Sequence, residues 1–188
     1  MTLSTDILAE VRGWLTLIVL IIGGFISLRT YQRNQRQREL ENSFRLITMF
    51  KESLYEGDIK EWKNIFHGTS EPAGAEEGFF VDIIDGKRIQ CPLSDLFSEG
   101  SPDNGAIERM AELFDLISSE ILNGNVEVRL IYFQLGQLMD TTHCWSKLIN
   151  NPYEEGTFLQ ENYPSFDHLY KKGLLNQRWA KRTYTHIS

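Results

Sequence analysis

The chain has few of the residues on which most catalytic and metal sites depend. Only two of its 188 residues are cysteine and four are histidine. Cys91 and Cys144 form no C-x-x-C pattern, and no histidine lies in H-E-x-x-H or has a cysteine at metal-ligand spacing. The glycines match neither phosphate-binding pattern, G-x-x-x-x-G-K-[ST] or G-x-G-x-x-G. We therefore expect two reduced, packed thiols, no metal, no cofactor and no nucleotide chemistry.

One reactive trio can be drawn, but its side chains diverge. Asp140 and His143 lie three residues apart on one helix edge, beside Cys144. The thiol is about 100° away from His143 around the helix, which points the two side chains apart. We assign no catalytic residue and expect a buried cysteine beside a hydrogen-bonded pair. A second group of acidic residues matches no calcium-binding loop and is interpreted as a solvated rim: Glu76, Glu77, Asp82 and Asp85.

Charge is also absent from the run WLTLIVLIIGGFISL, residues 14–28. As a helix it covers about 22 Å, less than the hydrocarbon core of about 30 Å, so a membrane span would extend back to Ile7. Trp14 and Tyr31 then lie where interfacial aromatic residues are found. We predict a transmembrane helix, whose membrane-facing residues include Trp14, Leu15, Leu17, Ile18, Leu20, Gly23, Ser27 and Leu28.

Two alternatives to a span can be weighed from its flanks. A cleaved signal peptide needs a positive N-terminal region and a small-residue cleavage site, whereas Asp6 and Glu10 precede this run and no A-x-A follows it. A buried core helix is permitted by length, but the next segment, RTYQRNQRQR, has almost no apolar face to bury. Gly23 and Ser27 are small residues four apart, a spacing that allows two spans to approach closely and thus permits dimerisation through this face.

The arginines around the span predict its orientation. One arginine precedes the run and four follow it. By the positive-inside rule, the N-terminus is expected outside and the C-terminal domain in the cytoplasm. The protein is thus predicted to be a single-pass membrane protein with its C-terminal domain in the cytoplasm. The orienting residues are Arg29, Arg33, Arg36 and Arg38.

Charge divides the rest of the chain into zones. Residues 39–170 contain 24 acidic and 9 basic side chains, and residues 171–188 contain five basic and no acidic ones. The acidic body argues against nucleic-acid binding, while both basic zones could lie against anionic lipid. A frayed tail is the alternative. The predicted divisions are residues 1–28 (N-terminus and span), 29–56 (basic stalk helix), 57–170 (acidic domain) and 171–188 (basic tail).

The body is predicted to be mainly α-helical, a small helical bundle with one β-hairpin. The stalk helix should end near Tyr55 because Gly57 stops it, and Asp58 with Glu61 forms a capping box for a short helix. A loop rich in Gly, Pro and Glu is predicted at residues 67–78, and two short apolar runs around Asp85-Gly86 then predict the hairpin. Asp103 or Asn104 should cap a helix that ends at Asn123-Gly124. Its predicted inner face holds Ile107, Met110, Ala111, Phe114, Ile117 and Ile121.

The next helix is predicted from about Val126 to Ile149, is terminated by Asn150, Asn151 and Pro152, and is apolar on two faces. One stripe contains Ile131, Leu135 and Trp145 and is expected to face the core. A helix that is apolar on a second side is either central to a bundle or presents that side to a partner. The candidate interaction face consists of Leu130, Phe133 and Leu148, with burial in the protein's own core as the alternative.

The layout resembles families of small bacterial single-pass membrane proteins described only as domains of unknown function. The resemblance is carried by the span, the arginine-rich helix, Trp145 near the end of a late helix, and the element Tyr163, Pro164, Phe166 with Leu169. The hairpin departs from the all-helical body expected in such proteins. The resemblance implies a bacterial or phage inner-membrane protein and transfers no site or substrate.

The sequence favours a protein that works by binding rather than by catalysis. We predict a membrane-anchored cytoplasmic interaction module, acting as a scaffold, sensor or subunit, with the lipid bilayer and a protein partner or second copy as its contacts. The alternative is a membrane-tethered effector or enzyme whose site is assembled from residues distant in sequence, as in stress response or phage defence.

Overall fold

The computed structural model describes residues 3–66, 79–84, 87–97, 105–149 and 157–173. Within them the protein is mainly helical, with two short strands. The elements in chain order are α1 (Leu3–Ser53), α2 (Asp58–Phe66), β1 (Phe79–Ile84), β2 (Lys87–Pro92), a 3-10 helix (Leu93–Phe97), α3 (Ala106–Leu122), α4 (Val128–Ser146), α5 (Phe158–Asn162) and α6 (Pro164–Lys171).

The chain divides into two compact units, Met1–Glu39 and Leu40–Ser188. Helix α1 contributes to both, because it continues without a break from Leu3 to Ser53. The expectation of one helix running on from the apolar stretch is therefore confirmed, and it ends two residues before the predicted Tyr55.

The break between α1 and α2 follows from Gly57 and Asp58. Gly57 has φ +110°, a conformation that side-chain-bearing residues rarely adopt. Asp58 then opens α2, and its Oδ2 accepts a hydrogen bond from the backbone N of Tyr55 at 3.0 Å. The same carboxylate holds Arg109 of α3, with Nη2 to Oδ1 at 2.7 Å and Nε to Oδ2 at 3.2 Å. One aspartate therefore both starts α2 and joins it to α3.

The two strands form an antiparallel pair. Phe80 lies opposite Cys91, and Ile84 lies opposite Lys87. The predicted turn residues, Asp85 and Gly86, lie outside the described residues, as does the loop predicted at residues 67–78. The strands cover the two apolar-rich runs of the sequence, and the 3-10 helix that follows β2 was not predicted.

Helix α3 buries the face that its sequence pattern predicts. All six residues of the predicted inner face are buried in the core. The cap was predicted wrongly: the N-cap is Gly105, with φ +72° and no side-chain hydrogen bond. A left-handed glycine takes that position because its backbone has no Cβ to clash. Asp103 and Asn104 lie outside the described residues.

Helix α4 packs against α2, α3 and α6. Aromatic rings link these elements: Phe66 of α2 meets Trp145 of α4 with centroids 5.0 Å apart, and Phe114 of α3 meets Phe166 of α6 at 5.6 Å. The indole Nε1 of Trp62 donates a hydrogen bond to Thr142 Oγ1 at 3.0 Å. The stretch Leu40–Ser53 of α1 joins this core through Ile47 and Phe50. The predicted terminators of α4, Asn150, Asn151 and Pro152, lie outside the described residues.

Candidate functional site

The first candidate site is the apolar stretch of α1. Every large apolar side chain from Trp14 to Leu28 is exposed, from 46% at Leu17 to 68% at Val19. Among the described residues, one helix is long and apolar enough to cross a membrane, it lies near the N-terminus, and none of its most apolar stretch is buried. Exposed apolar surface of this extent marks a lipid or protein contact in a folded chain.

Small residues leave open space along this stretch. A Cβ built on Gly13, Gly23 or Gly24 meets no heavy atom within 4 Å beyond its local neighbours. The Thr16 hydroxyl donates to the backbone O of Arg12 at 2.9 Å, so this polar side chain is satisfied within the helix. A satisfied hydroxyl is compatible with an apolar surrounding, because no free donor has to be desolvated.

The second candidate site is the outward side of α4. Phe133 is 65% exposed, and its neighbours Arg129, Gln134 and Gln137 are exposed as well. Since residues four apart share a helix face, Arg129, Phe133 and Gln137 form one outward row. The row therefore presents one large aromatic ring in a polar setting.

The structure separates the three residues of the predicted interaction face. Leu130 and Phe133 are three apart in α4 and lie side by side. Leu148 lies beyond the helix end at Ser146, roughly 20 Å further along. Leu130 and Leu148 are both half-buried and pack against the core. Phe133 is thus the member of the predicted face that projects furthest from the core.

Asp140 has a structural partner set that the sequence did not reveal. Its Oδ2 accepts a hydrogen bond from the Tyr132 hydroxyl and its Oδ1 one from the Tyr170 hydroxyl, each at 2.6 Å. Tyr132 lies on α4, two helical turns before Asp140, whereas Tyr170 lies on α6. The carboxylate therefore fastens α6 to α4.

The His143 ring is stacked on the ring of Tyr170, one of the two tyrosines that donate hydrogen bonds to Asp140. The two centroids are 3.7 Å apart and the planes 13° from parallel. His143 is 2% exposed, and its Nε2 has no hydrogen-bond partner among the described residues. Burial, followed by the charge of Lys147, lowers the pKa of His143 to about 3. At neutral pH the imidazole is uncharged.

Cys144 is equally unsuited to nucleophilic chemistry. The thiol is free and half-buried. Burial raises its pKa, and the charge of Asp140 raises it further. Because the thiolate is the reactive form, a raised pKa leaves a weak nucleophile at neutral pH. Of the trio, Asp140 and His143 form part of the packing between α4 and α6, through Tyr170.

Of the four acidic residues considered as a cation site, one lies within the described residues. Glu76, Glu77 and Asp85 lie outside the described residues, and Asp82 lies in β1. In the described part of the chain, no group of three or more potential ligands is placed to hold a metal ion.

Sequence reasoning missed the tyrosines that surround Asp140, although α4 carries one signal for them. Gly136 lies midway between Tyr132 and Asp140, and a Cβ built there would stand 2.8 Å from the Tyr132 ring. A glycine in the middle of a helix destabilises it, so its presence indicates a close contact. The partner on α6 has no such signal, because Tyr170 is thirty residues further along.

Comparison of the chain with protein-family models, with curated proteins and with solved structures finds no match. The resemblance to small bacterial single-pass proteins therefore stays a prediction. Two exposed features of the described residues bear on function: the apolar stretch of α1 and the Phe133 side chain on α4.

Proposed function

We propose that the protein is a membrane-anchored interaction module whose acidic domain lies in the cytoplasm and binds a protein partner. The observation that carries the proposal is the uninterrupted exposure of the apolar side chains from Trp14 to Leu28. Ten Leu, Ile, Val and Phe side chains in that run favour insertion by about 0.3 to 0.6 kcal/mol each, more than its threonine, serine and glycines oppose. Lipid is the surrounding that removes this surface from water at the least cost.

The arginine distribution supports a cytoplasmic position for the domain. Arg29, Arg33, Arg36 and Arg38 are exposed and follow the apolar stretch directly, whereas Arg12 alone lies between Met1 and its start. Positive residues near a span are retained on the cytoplasmic side. Residues 29 onward are then cytoplasmic in a bacterial inner membrane, which is the location we propose.

A pair of reporters tests the orientation. We expect a C-terminal fluorescent-protein fusion to be bright and a C-terminal alkaline phosphatase fusion to be inactive, because the phosphatase folds only outside the cytoplasm. Replacing all four arginines by glutamine should reduce the difference, while Arg45→Gln, in the second unit, should preserve it. Active phosphatase in the unaltered protein would contradict the proposed orientation.

We further propose that Phe133 is the central contact of the protein-binding surface. A large aromatic ring that is 65% exposed gains apolar burial when covered, and aromatic residues dominate the energetics of interfaces. Leu130 extends the contact, since its exposed edge adjoins Phe133. The flanking Arg129, Gln134 and Gln137 supply the polar rim that interfaces have around an apolar centre.

Site-specific photocrosslinking in the native host tests this surface. A photoreactive phenylalanine analogue at position 133 should give one crosslinked product of defined mass, and the same analogue at Thr48, exposed on α1, should give none. Phe133→Asp should abolish co-purification of the crosslinked protein, whereas Thr48→Asp, outside the proposed surface, should preserve it. A product of identical mass from both positions would show diffusive collision and contradict the proposal.

The alternative, a membrane-tethered effector or enzyme, has less support. It requires a convergent set of reactive groups, and the most reactive trio in the chain has a neutral, buried imidazole and a protonated thiol. An activity retained after His143→Phe and Cys144→Ser, but lost on substitution of residues elsewhere, would be needed to support that alternative.

A further inference from the structure

Three of the four arginines that follow the apolar stretch share one side of α1. Arg29, Arg33 and Arg36 are spaced i, i+4 and i+7, which places them within about 60° of one another around the helix. Arg38 lies on the opposite side of the helix. All four are exposed. We call Arg29, Arg33 and Arg36 the arginine stripe.

No described residue forms an ion pair or a hydrogen bond with the three guanidinium groups of the stripe. No acidic residue occurs between Gly13 and Arg38 in the sequence, and the first one beyond the stripe is Glu39, three residues after Arg36. Three cations on one helix face repel one another unless an anion lies between them. The stripe is therefore suited to an external anion.

The geometry of the helix determines which anion can reach the stripe. Side chains on an α-helix lean towards its N-terminus, so these arginines lean back towards the apolar stretch that ends at Leu28. Arg29 adjoins that end, while Arg33 and Arg36 lie about 6 Å and 10 Å further along the axis. With their side-chain length, all three reach the headgroup layer of a bilayer whose hydrocarbon covers residues 14–28.

We infer that the arginine stripe binds the phosphate groups of anionic phospholipids in the leaflet next to the domain. This inference rests on the proposed membrane anchorage and adds the lipid class that the anchor selects. A guanidinium group pairs with phosphate through two parallel hydrogen bonds, and Arg29 and Arg33 are close enough to hold one headgroup between them. A tilt of the helix towards the stripe brings Arg36 to the surface and moves Arg38 away.

Electron paramagnetic resonance of spin-labelled lipids tests the inference on the full-length protein. The protein is reconstituted in phosphatidylcholine vesicles containing a minority of phosphatidylglycerol, and the motionally restricted fractions of the two spin-labelled lipids are compared. A basic residue near the surface contributes up to about fivefold in preference for an anionic lipid. We expect wild-type protein to prefer phosphatidylglycerol several-fold and high salt to weaken the preference.

Arginine variants test whether the preference for phosphatidylglycerol depends on the arginine stripe. Arg29→Gln with Arg33→Gln should remove most of it, while Arg38→Gln, the matched control on the opposite side, should retain it. An undiminished preference in the double variant, or an equal loss in Arg38→Gln, would overturn the inference. Tighter binding of duplex DNA than of phosphatidylglycerol by the same arginines in neutral detergent would also overturn it.

The same vesicles distinguish this inference from the proposed anchorage. If the protein resists alkaline extraction and shows no lipid preference, the anchorage stands and the inference on the stripe fails. If alkali releases the protein from the vesicles, both fail.

Discussion

Gly136 is the residue of α4 where a methyl group has no room. The Tyr132 ring lies over Gly136, and its hydroxyl reaches Asp140, which is one helical turn beyond Gly136. Tyr132, Asp140 and Tyr170 form a polar connection between α4 and α6, and His143 extends it by stacking. These side-chain contacts join α4 to α6, and the helical periodicity of the sequence does not predict them.

Gly136→Ala is predicted to destabilise the protein by about 1–3 kcal/mol, because the new Cβ displaces the Tyr132 ring. In a Tyr132→Ala background the sign should reverse. With the ring absent, alanine stabilises the helix by roughly 1 kcal/mol relative to glycine. Urea unfolding of the four proteins of this cycle measures both effects. A destabilisation of equal size in both backgrounds would show that the ring contact is not the cause.

Acid sensitivity is predicted from His143. Burial lowers the pKa of His143 to about 3 in the folded protein, whereas the pKa in the unfolded chain is the ordinary 6.5. Between these values the unfolded state holds more protons, so the stability due to neutral His143 is complete above pH 6.5 and is lost as the pH falls towards 3.

His143→Phe keeps an aromatic ring against Tyr170 and removes the proton site. The free energy of unfolding of this variant should therefore vary less than that of wild type between pH 6.5 and about 4.5, above the range where most carboxylates titrate. Chemical denaturation at several pH values measures the two slopes. Parallel slopes would mean that His143 is solvated in the folded protein.

At the scale of elements, Asp58 and Arg109 join the start of α2 to α3. The Asp58 side chain is 6% exposed and that of Arg109 is 25% exposed, with the guanidinium also lying 4.5 Å above the centroid of the Tyr55 ring. Removal of one partner from a buried pair leaves an unpaired charge, which is costly.

Asp58→Asn is predicted to destabilise the protein by about 2–3 kcal/mol, below the full cost for a completely buried pair because Arg109 keeps some solvent. The matched control is Asp167→Asn, which breaks the pair with Lys171 at 2.6 Å. The cation left without its partner is then a lysine side chain that is 55% exposed, so the loss should stay below about 1 kcal/mol. Equal losses in thermal or urea unfolding would contradict the difference in burial.

Helices α1 to α4 were predictable because each has a periodic apolar pattern, whereas α5, α6 and the 3-10 helix were not predicted. The six predicted inner-face residues of α3 are all buried, and Gly57 separates α1 from α2 as expected. The cap of α3 was not predictable, since a left-handed Gly105 competes with polar caps that lie one and two residues earlier in the sequence. Propensity does not decide between such neighbouring starts.

The α4 faces show where periodicity reaches its limit. The core stripe with Ile131, Leu135 and Trp145 is buried as predicted. The side chains of the second apolar stripe differ in burial. Leu130 and Leu148 pack against the core, while Phe133 projects outward. A helical wheel shows the direction of each side chain around the helix axis. The packing of neighbouring elements decides which of those side chains are buried.

At the scale of the whole molecule, the protein combines an exposed apolar helix with an acidic unit that has its own core. The charges follow the same division, with the four arginines of residues 29–38 next to the apolar stretch and 23 acidic residues in the second unit, residues 40–188. The proposed function assigns a separate task to each: insertion for the first, partner binding for the second. The central claim is the membrane anchorage, on which the orientation and the lipid selectivity both depend.

Alkaline extraction of native membranes, read by intact mass, tests that claim most directly. We predict that the full-length protein stays in the membrane pellet and keeps its N-terminal residues. The variant with Ile18→Lys and Ile22→Lys should be released, because each charge at the centre of a span opposes insertion by about 2.5–3.5 kcal/mol. Release of the wild-type protein, or a mass showing cleavage after the apolar stretch, would contradict the account.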